Sequence, residues 1–132
     1  AMPLAAALGI SGDRLMPDER LMERRYGAAE GYTLAEREQL YPGDVWDGLE
    51  SREELNMRSM TTLEDFRVRF ARQRIVLVTH GTWITSVLEV LTQGEFGYGN
   101  SVILNTSRTY LTHDGEDWQV GAIAQAPHLA LV

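Results

Sequence analysis

The sequence predicts an α/β fold built on a mostly parallel sheet. The main observation is the run Ile-Val-Leu-Val-Thr at residues 75–79, which is apolar at both alternating positions. Such a run suits a strand that is covered on both faces, as in a parallel sheet. A second observation is that helical patterns lie on both sides of this run in the sequence, at residues 51–71 and 82–91. We therefore expect a central strand with helices packed on the sheet.

Length and composition fit one ordinary domain over residues 1–132. The chain is 44% hydrophobic and 23% charged, and its formal net charge is −7. That charge argues against a nucleic-acid surface and against binding to anionic membranes. The lack of cysteine excludes disulfides, a thiolate nucleophile and a zinc–thiolate site. No apolar stretch of about 18 residues and no signal-peptide pattern occurs, so a cytoplasmic location is the default expectation.

Three helical patterns precede the central strand. Residues 3–8 form a short one that Gly9 ends, and because so short a helix is marginal alone, it resembles the last turns of a longer helix. We therefore expect the chain to begin in mid-fold. Capping boxes at residues 33–36 and 51–54 start the other two helices, which we expect to end near residues 41 and 71. The last of these has an apolar stripe for the sheet, made of Leu55, Met60, Leu63, Phe66 and Phe70.

The segment 18–31 is predicted to be a charged loop. It combines two glycines with many acids and arginines, which favours an extended or looped backbone. Glu23 is flanked by Arg20, Arg24 and Arg25, so an anion-binding loop here would hold a carboxylate among guanidinium groups. A solvated loop with no site is the alternative, since charge runs are usually exposed.

The last third of the chain is predicted to be rich in strands. Asp114-Gly115 marks a turn between two of them. His113, beside that turn, is expected to be exposed, whereas His128 is expected to pack. The predicted strands are residues 101–105, 108–113 and 118–124.

His80 and Gly81 are the strongest candidates for a site. They follow the central strand at its carboxyl end, where ligands bind in open α/β sheets. The next helix begins there, and its free N–H groups favour anions. A histidine at this place is well suited to bind a phosphate. The alternative is a strand-to-helix turn that happens to contain a histidine.

Several segments together resemble the histidine phosphatase superfamily, the phosphoglycerate-mutase-like proteins. Leu-Met-Glu-Arg-Arg-Tyr-Gly at 21–27, followed by Glu30-Gly31, is similar to the family's acidic loop. Leu49-Glu50-Ser51 is similar to a Gly-Glu-Ser, although Leu49 departs from the glycine. Val78-Thr79-His80-Gly81 is similar to the second histidine motif, and Asn100-Ser101 and Pro127-His128-Leu129 resemble features of the carboxyl-terminal part. The resemblance implies a three-layer α/β/α fold with a mostly parallel sheet.

One family motif has no counterpart in these 132 residues. The family's mechanism rests on an Arg-His-Gly after the first strand, and that histidine takes the phosphoryl group. The only His-Gly here is His80-Gly81. The resemblance therefore covers roughly the carboxyl-terminal two-thirds of such a domain. We expect the amino-terminal strand and the nucleophile to be missing.

The resemblance implies a role for each candidate residue. His80 would donate a hydrogen bond to the phosphoryl oxygens and stabilise their charge. Glu23 would protonate the leaving oxygen and later deprotonate water or the acceptor. Arg24, Tyr26 and Gly81, which belongs to the same motif as His80, would bind the substrate. No metal and no cofactor is implied.

Three functions remain open at this point. The chain is a phosphatase or phosphomutase domain acting on a small phosphorylated molecule, a non-catalytic remnant that binds phosphorylated ligands or a partner, or a structural α/β module. The Glu-Arg-Arg-Tyr-Gly loop favours a mutase, whereas Glu30-Gly31 and the short chain favour a phosphatase. We also expect the uncovered central strand to cause self-association, unless a missing amino-terminal segment covers it.

Overall fold

The computed structural model describes residues 1–43 and 45–131. Its helices are α1 (Met2–Ala7), α2 (Leu34–Leu40), α3 (Arg52–Arg69) and α4 (Gly81–Leu91). Its strands are β1 (Leu111–His113) and β2 (Trp118–Val120). Short 3₁₀ turns occur at Gly12–Arg14, Glu19–Leu21, Gly27–Ala29 and Pro127–Leu131. Each helix predicted from the sequence is confirmed, with bounds within one turn of the prediction.

The two predicted capping boxes start α2 and α3. Thr33 Oγ1 accepts a hydrogen bond from the Glu36 N–H, and the Glu36 carboxylate accepts one from the Thr33 N–H. Ser51 and Glu54 make the same reciprocal pair, at 3.0 and 2.8 Å. These bonds satisfy backbone donors that the first helical turn leaves free.

The core lies between α3 and α4. Leu55 and Leu63 from α3 pack with Trp83 and Val87 from α4, and all four are buried. At the crossing, the buried hydroxyls of Ser59 and Ser86 are 2.8 Å apart and hydrogen-bonded. α4 is buried on more than one face, at Trp83, Thr85, Ser86, Val87 and Leu88.

The predicted mostly parallel, three-layer sheet is not observed in the part of the chain that the structure describes. Residues 74–80 belong to no helix and to no strand ladder. Ile75, Val76 and Val78 are 40, 59 and 47% exposed, so the run predicted to be buried on both faces is largely open. The apolar pattern predicted a strand, but a strand needs a hydrogen-bonded neighbour, and none of the described residues provides one.

The only sheet among the described residues is an antiparallel hairpin of β1 and β2, in which Leu111 pairs with Val120. An isolated bridge between Arg108 and Gln125 extends the pairing beyond both strands. The predicted strands 108–113 and 118–124 are therefore confirmed in part. Residues 101–105 form no described strand, which corrects that prediction.

The environments of His113 and His128 both differ from the predicted ones. His113 is half-buried, and its ring packs edge-on against Trp118 with centroids 5.0 Å apart. His128 is exposed and its Nε2 is 2.7 Å from Thr106 Oγ1, so the prediction that it packs is wrong. Within residues 1–43 and 45–131, no helix is long and apolar enough to cross a membrane.

Candidate functional site

The segment 74–80, which belongs to no helix or strand, leads into α4 beside the charged loop 18–26. His80 is the residue that precedes the first turn of α4. Thr79 Oγ1 donates to the Leu21 carbonyl at 2.7 Å, and Trp83 Nε1 donates to the Arg20 carbonyl at 3.0 Å. These two bonds join segments about sixty residues apart in the sequence and hold the loop against the start of the helix.

Glu23 reaches the start of α4. Its Oε2 accepts a hydrogen bond from the Thr82 N–H at 3.3 Å, and its Oε1 accepts one from the Arg24 N–H at 2.9 Å. The side chain is half-buried. The Thr82 N–H is one of the donors that the helix itself leaves unpaired. A carboxylate therefore lies at the positive end of the α4 dipole, where an anion is stabilised.

Tyr26 also meets Thr82. Its hydroxyl is 3.5 Å from Thr82 Oγ1, and its backbone N–H donates to the Glu30 carboxylate at 2.8 Å. The Arg37 guanidinium lies over the Tyr26 ring, 4.1 Å from the centroid. Glu30 thus fixes the backbone that carries Tyr26, so its contact in this chain is structural.

Gly27 allows this loop to approach the residues before α3. Its φ is +48°, and a Cβ there would be 2.3 Å from the Asp47 carbonyl oxygen. Any other residue at this place would clash with backbone. The close approach lets Tyr26 and Leu49 form an isolated antiparallel bridge.

Arg24 lies on the other side of the same loop. Its Nε donates to the Glu50 carbonyl at 2.7 Å, and its guanidinium is 5.8 Å from the Tyr26 ring centroid. An open depression of about 370 Å³ borders Arg24 and also contacts Trp46 and Arg52. Arg24 and Arg52 thus both line a cavity next to the loop.

His80 and Gly81 form the exposed part of the site. His80 is exposed, and its ring makes no hydrogen bond with any described residue. A Cβ on Gly81 would reach only Ile103 Cβ, at 4.0 Å, so packing does not require a glycine there. No group of three or more acidic or histidine side chains within the described ranges could hold a metal ion.

The structure therefore gathers the candidates around one residue that the sequence did not single out. Thr82 contacts Glu23 through its N–H and Tyr26 through its hydroxyl. It directly follows His80-Gly81. Its place as the first residue of the helix predicted at 82–91 was the available signal, because that N–H is free in any helix. Arg24 lies beside this group rather than in it.

The free N–H groups at the start of α4, with the exposed His80 beside them, suit an anionic ligand such as a phosphate. Comparison with known proteins agrees with this inference. Residues 1–125 match the histidine phosphatase superfamily (branch 1), and the chain belongs to this superfamily.

Two individual proteins illustrate the relationship. The chain is 29% identical over 98 residues to the "Uncharacterized phosphatase PhoE" of Bacillus subtilis (strain 168), an alignment that covers 74% of this chain and 51% of that protein. The chain thus spans about half the length of this curated relative. The structure of YhfR from Bacillus stearothermophilus superposes with a TM-score of 0.78 at 22% identity, over 96% of this chain and 70% of that one. This likeness shows a shared fold.

Proposed function

We propose that this chain is a phosphoryl-transfer domain of the phosphoglycerate mutase/histidine phosphatase type that acts on a small phosphomonoester. The observation that carries the proposal is the Glu23 carboxylate at the Thr82 N–H, one residue after His80-Gly81. This arrangement provides a carboxylate that can transfer a proton, a histidine and free helix N–H groups, all at the start of α4. Membership of the superfamily supports the reaction class.

Each residue has a distinct proposed task. His80, exposed at the start of α4, donates to the phosphoryl oxygens and stabilises the charge that develops on them. Glu23 carries the proton to the leaving oxygen and later takes one from water. Arg24, Tyr26 and the backbone at Gly81 orient the substrate. A bound phosphate would compete with the Glu23 carboxylate for the Thr82 N–H.

Hydrolysis is the favoured outcome of the transfer. The Bacillus subtilis relative is named a phosphatase. The open, solvent-facing position of His80 also lets water reach the phosphoryl group. Both points support a phosphatase over a mutase.

In its 132-residue form we expect the domain to be inactive. The sequence contains no Arg-His-Gly, the family's nucleophile motif, and His80 occupies the supporting position. A covalent nucleophile divides one difficult step into two easier ones, so without it the rate falls steeply.

A second candidate function is a non-catalytic module of the same fold that binds phosphorylated ligands or a partner. The exposed apolar segment that leads to His80 favours it, because an open extended segment can pair with another strand. Ligand binding without turnover is the expected behaviour of such a module.

Titration with inorganic phosphate and with vanadate tests the site. The ring signals of all three histidines are followed by NMR while the anion is added. We expect His80 to shift, whereas His113 and His128 serve as internal controls because they lie in other parts of the chain. Weak binding with a Kd of about 1–50 mM is the scale expected for a few charge-assisted hydrogen bonds. Equal shifts at all three rings, or none, would reject the site.

A further inference from the structure

Glu50 is a buried carboxylate with an unusual set of partners. Its side chain is only 2% exposed. Arg58 Nε and Nη2 donate to its two oxygens, each at 2.8 Å, and the Arg25 N–H donates to Oε2 at 3.1 Å. A buried charge is tolerated only when it is paired and hydrogen-bonded in this way. Burial alone would raise the pKa of Glu50, but these donors outweigh it and leave the pKa below its ordinary value.

Arg58 uses all five of its N–H donors. Besides the two bonds to Glu50, Nη1 donates to the carbonyls of Arg20 and Met22 at 2.8 and 2.9 Å. The fifth donor, on Nη2, reaches the Glu23 carbonyl at 3.3 Å. A guanidinium has five donors in a fixed plane, so this side chain is fully satisfied and geometrically fixed.

These hydrogen bonds pair backbone groups of the loop that would be paired by a helix or a sheet in regular secondary structure. Residues 22–25 belong to no helix or strand, so their backbone groups need partners elsewhere. Three successive residues contact the Glu50–Arg58 pair: Glu23 through its carbonyl, Arg24 through its side chain and Arg25 through its N–H. The Glu50 N–H also donates to the Arg25 carbonyl at 2.9 Å.

We propose that Glu50 and Arg58 are positioning residues that hold the Glu23 carboxylate at the Thr82 N–H. The pair fixes the backbone on both sides of Glu23, and the side chain then extends to the start of α4. This inference deepens the proposed function, because it explains how the proton carrier is kept in place. It goes beyond a structural role: the pair sets the environment of one titrating group 3.3 Å from a helix N–H.

The test follows the Thr82 amide signal as pH is lowered. In the unaltered chain this signal should move as Glu23 is protonated, and Glu23→Gln should abolish the movement. In Arg58→Lys and in Glu50→Gln we expect the pH-dependent movement to be lost although the α3–α4 core signals stay in place. Lysine keeps the charge but has only three donors on one atom, so it cannot bind the carboxylate and the three carbonyls together.

The exposed pair of Glu64 and Arg67 on the same helix provides the matched control. Arg67→Lys and Glu64→Gln should leave the Thr82 titration unchanged. If Arg58→Lys or Glu50→Gln, while folded, also keeps the titration of the unaltered chain, the proposal is overturned. If the pair had only a structural role, these substitutions would lower the free energy of unfolding, and the Thr82 amide signal would still move as Glu23 is protonated.

Hydrogen exchange of the unaltered chain decides the matter if both variants fail to fold. The Arg25 N–H is bound by Glu50 and the Thr82 N–H by Glu23. If the pair holds Glu23, these two amides open together with the same free energy. Opening of Thr82 at a clearly lower free energy than Arg25 would contradict the proposal.

The result is separable from the test of function. A Thr82 titration that depends on Arg58, together with no phosphate shift at His80, would reject the phosphoryl-transfer site and retain the positioning pair. A phosphate shift at His80 in an Arg58→Lys variant with a normal Thr82 titration would do the reverse.

Discussion

The loop that carries Glu23 and the segment that leads to His80 differ in how they are held in place. The loop that carries Glu23 is fixed by charge-assisted bonds from Arg58, whose donors reach Glu50 and three backbone carbonyls. The segment that leads to His80 belongs to no strand ladder among the described residues, and its Val76 is 59% exposed. Side-chain hydrogen bonds hold the loop that carries Glu23. The segment that leads to His80 depends instead on a sheet that the described residues do not form.

The difference shows which interactions form without the predicted sheet. The Arg58 bonds join two parts of one small unit, so α3 and the loop are sufficient to make them. A strand in the interior of a sheet is satisfied only by its neighbours, because its apolar faces and its backbone groups both require them. The three predictions that follow test this contrast, from the largest expected effect to the smallest.

The largest effect concerns turnover. We expect the 132-residue chain to hydrolyse an aryl phosphate about 10³-fold or more slowly than a phosphatase that carries the Arg-His-Gly motif, because this sequence contains no Arg-His-Gly. Both proteins are assayed at equal concentration. His80→Ala should change the small residual rate little. Strong activity that His80→Ala removes would make His80 the nucleophile and would overturn the assignment of a supporting role.

Sequence patterns over a few residues correctly predicted the features that depend on contacts between residues close in the sequence. The capping boxes at Thr33 and Ser51 start α2 and α3, as expected from side chain–backbone bonds over three residues. His80 was correctly placed at the start of a helix, because an apolar extended run followed by Gly81 changes the periodicity there. The contact between Glu23 and that helix supports the ordered set of motifs, since 59 residues separate Glu23 from Thr82.

Hydrogen bonds and burial that depend on residues far apart in the sequence were not predictable in the same way. Nothing in the composition of α3 distinguishes Arg58, which holds the loop, from Arg67, which pairs with Glu64 on the surface. The burial of Glu50 was equally hidden, because an acid before a capping box is usually exposed. The apolar run 75–79 predicted a strand, but pairing depends on which segments lie beside it, and periodicity contains no such information.

The second prediction tests the open segment. We expect the chain to self-associate through residues 75–79, since exposed apolar backbone with free N–H and C=O groups pairs with another strand. Light scattering at about 100 µM, where contacts with a micromolar Kd are populated, should report a mass above the 14.8 kDa of one chain. Val76→Lys should shift the sample toward that single-chain mass.

Val68→Lys is the matched control for this substitution. Val68 is 62% exposed on α3, similar to Val76, but it lies on a helix whose backbone groups are already paired. It should leave the association unchanged. A cooperatively folded monomer at the same concentration, or equal effects of the two lysines, would show that the segment 75–79 does not mediate association.

The smallest effect is a difference in acid sensitivity between the two sides. Hydrogen bonds from Arg20 hold the pKa values of Asp18 and Asp65 below their ordinary 3.8. For Glu50, burial raises the pKa, but the bonds from Arg58 and Arg25 prevail and the pKa lies below 4.5. A carboxyl group with a lowered folded-state pKa stabilises the fold above its unfolded-state pKa, and this contribution is lost as pH falls through the folded-state value.

The loop should therefore loosen in acid while the open segment does not. As pH falls from about 7 to about 3, hydrogen exchange of the Arg25 amide, corrected for its intrinsic rate, should accelerate because Glu50 loses its charge. Residues 75–79 contain no ionisable side chain, so their corrected exchange should stay nearly constant over the same range. Glu50→Gln removes the titrating group and should flatten the response at Arg25 specifically. A parallel acceleration at both places would mean that the whole fold, rather than the clamped loop, responds to acid, and the contrast between the two sides would fail.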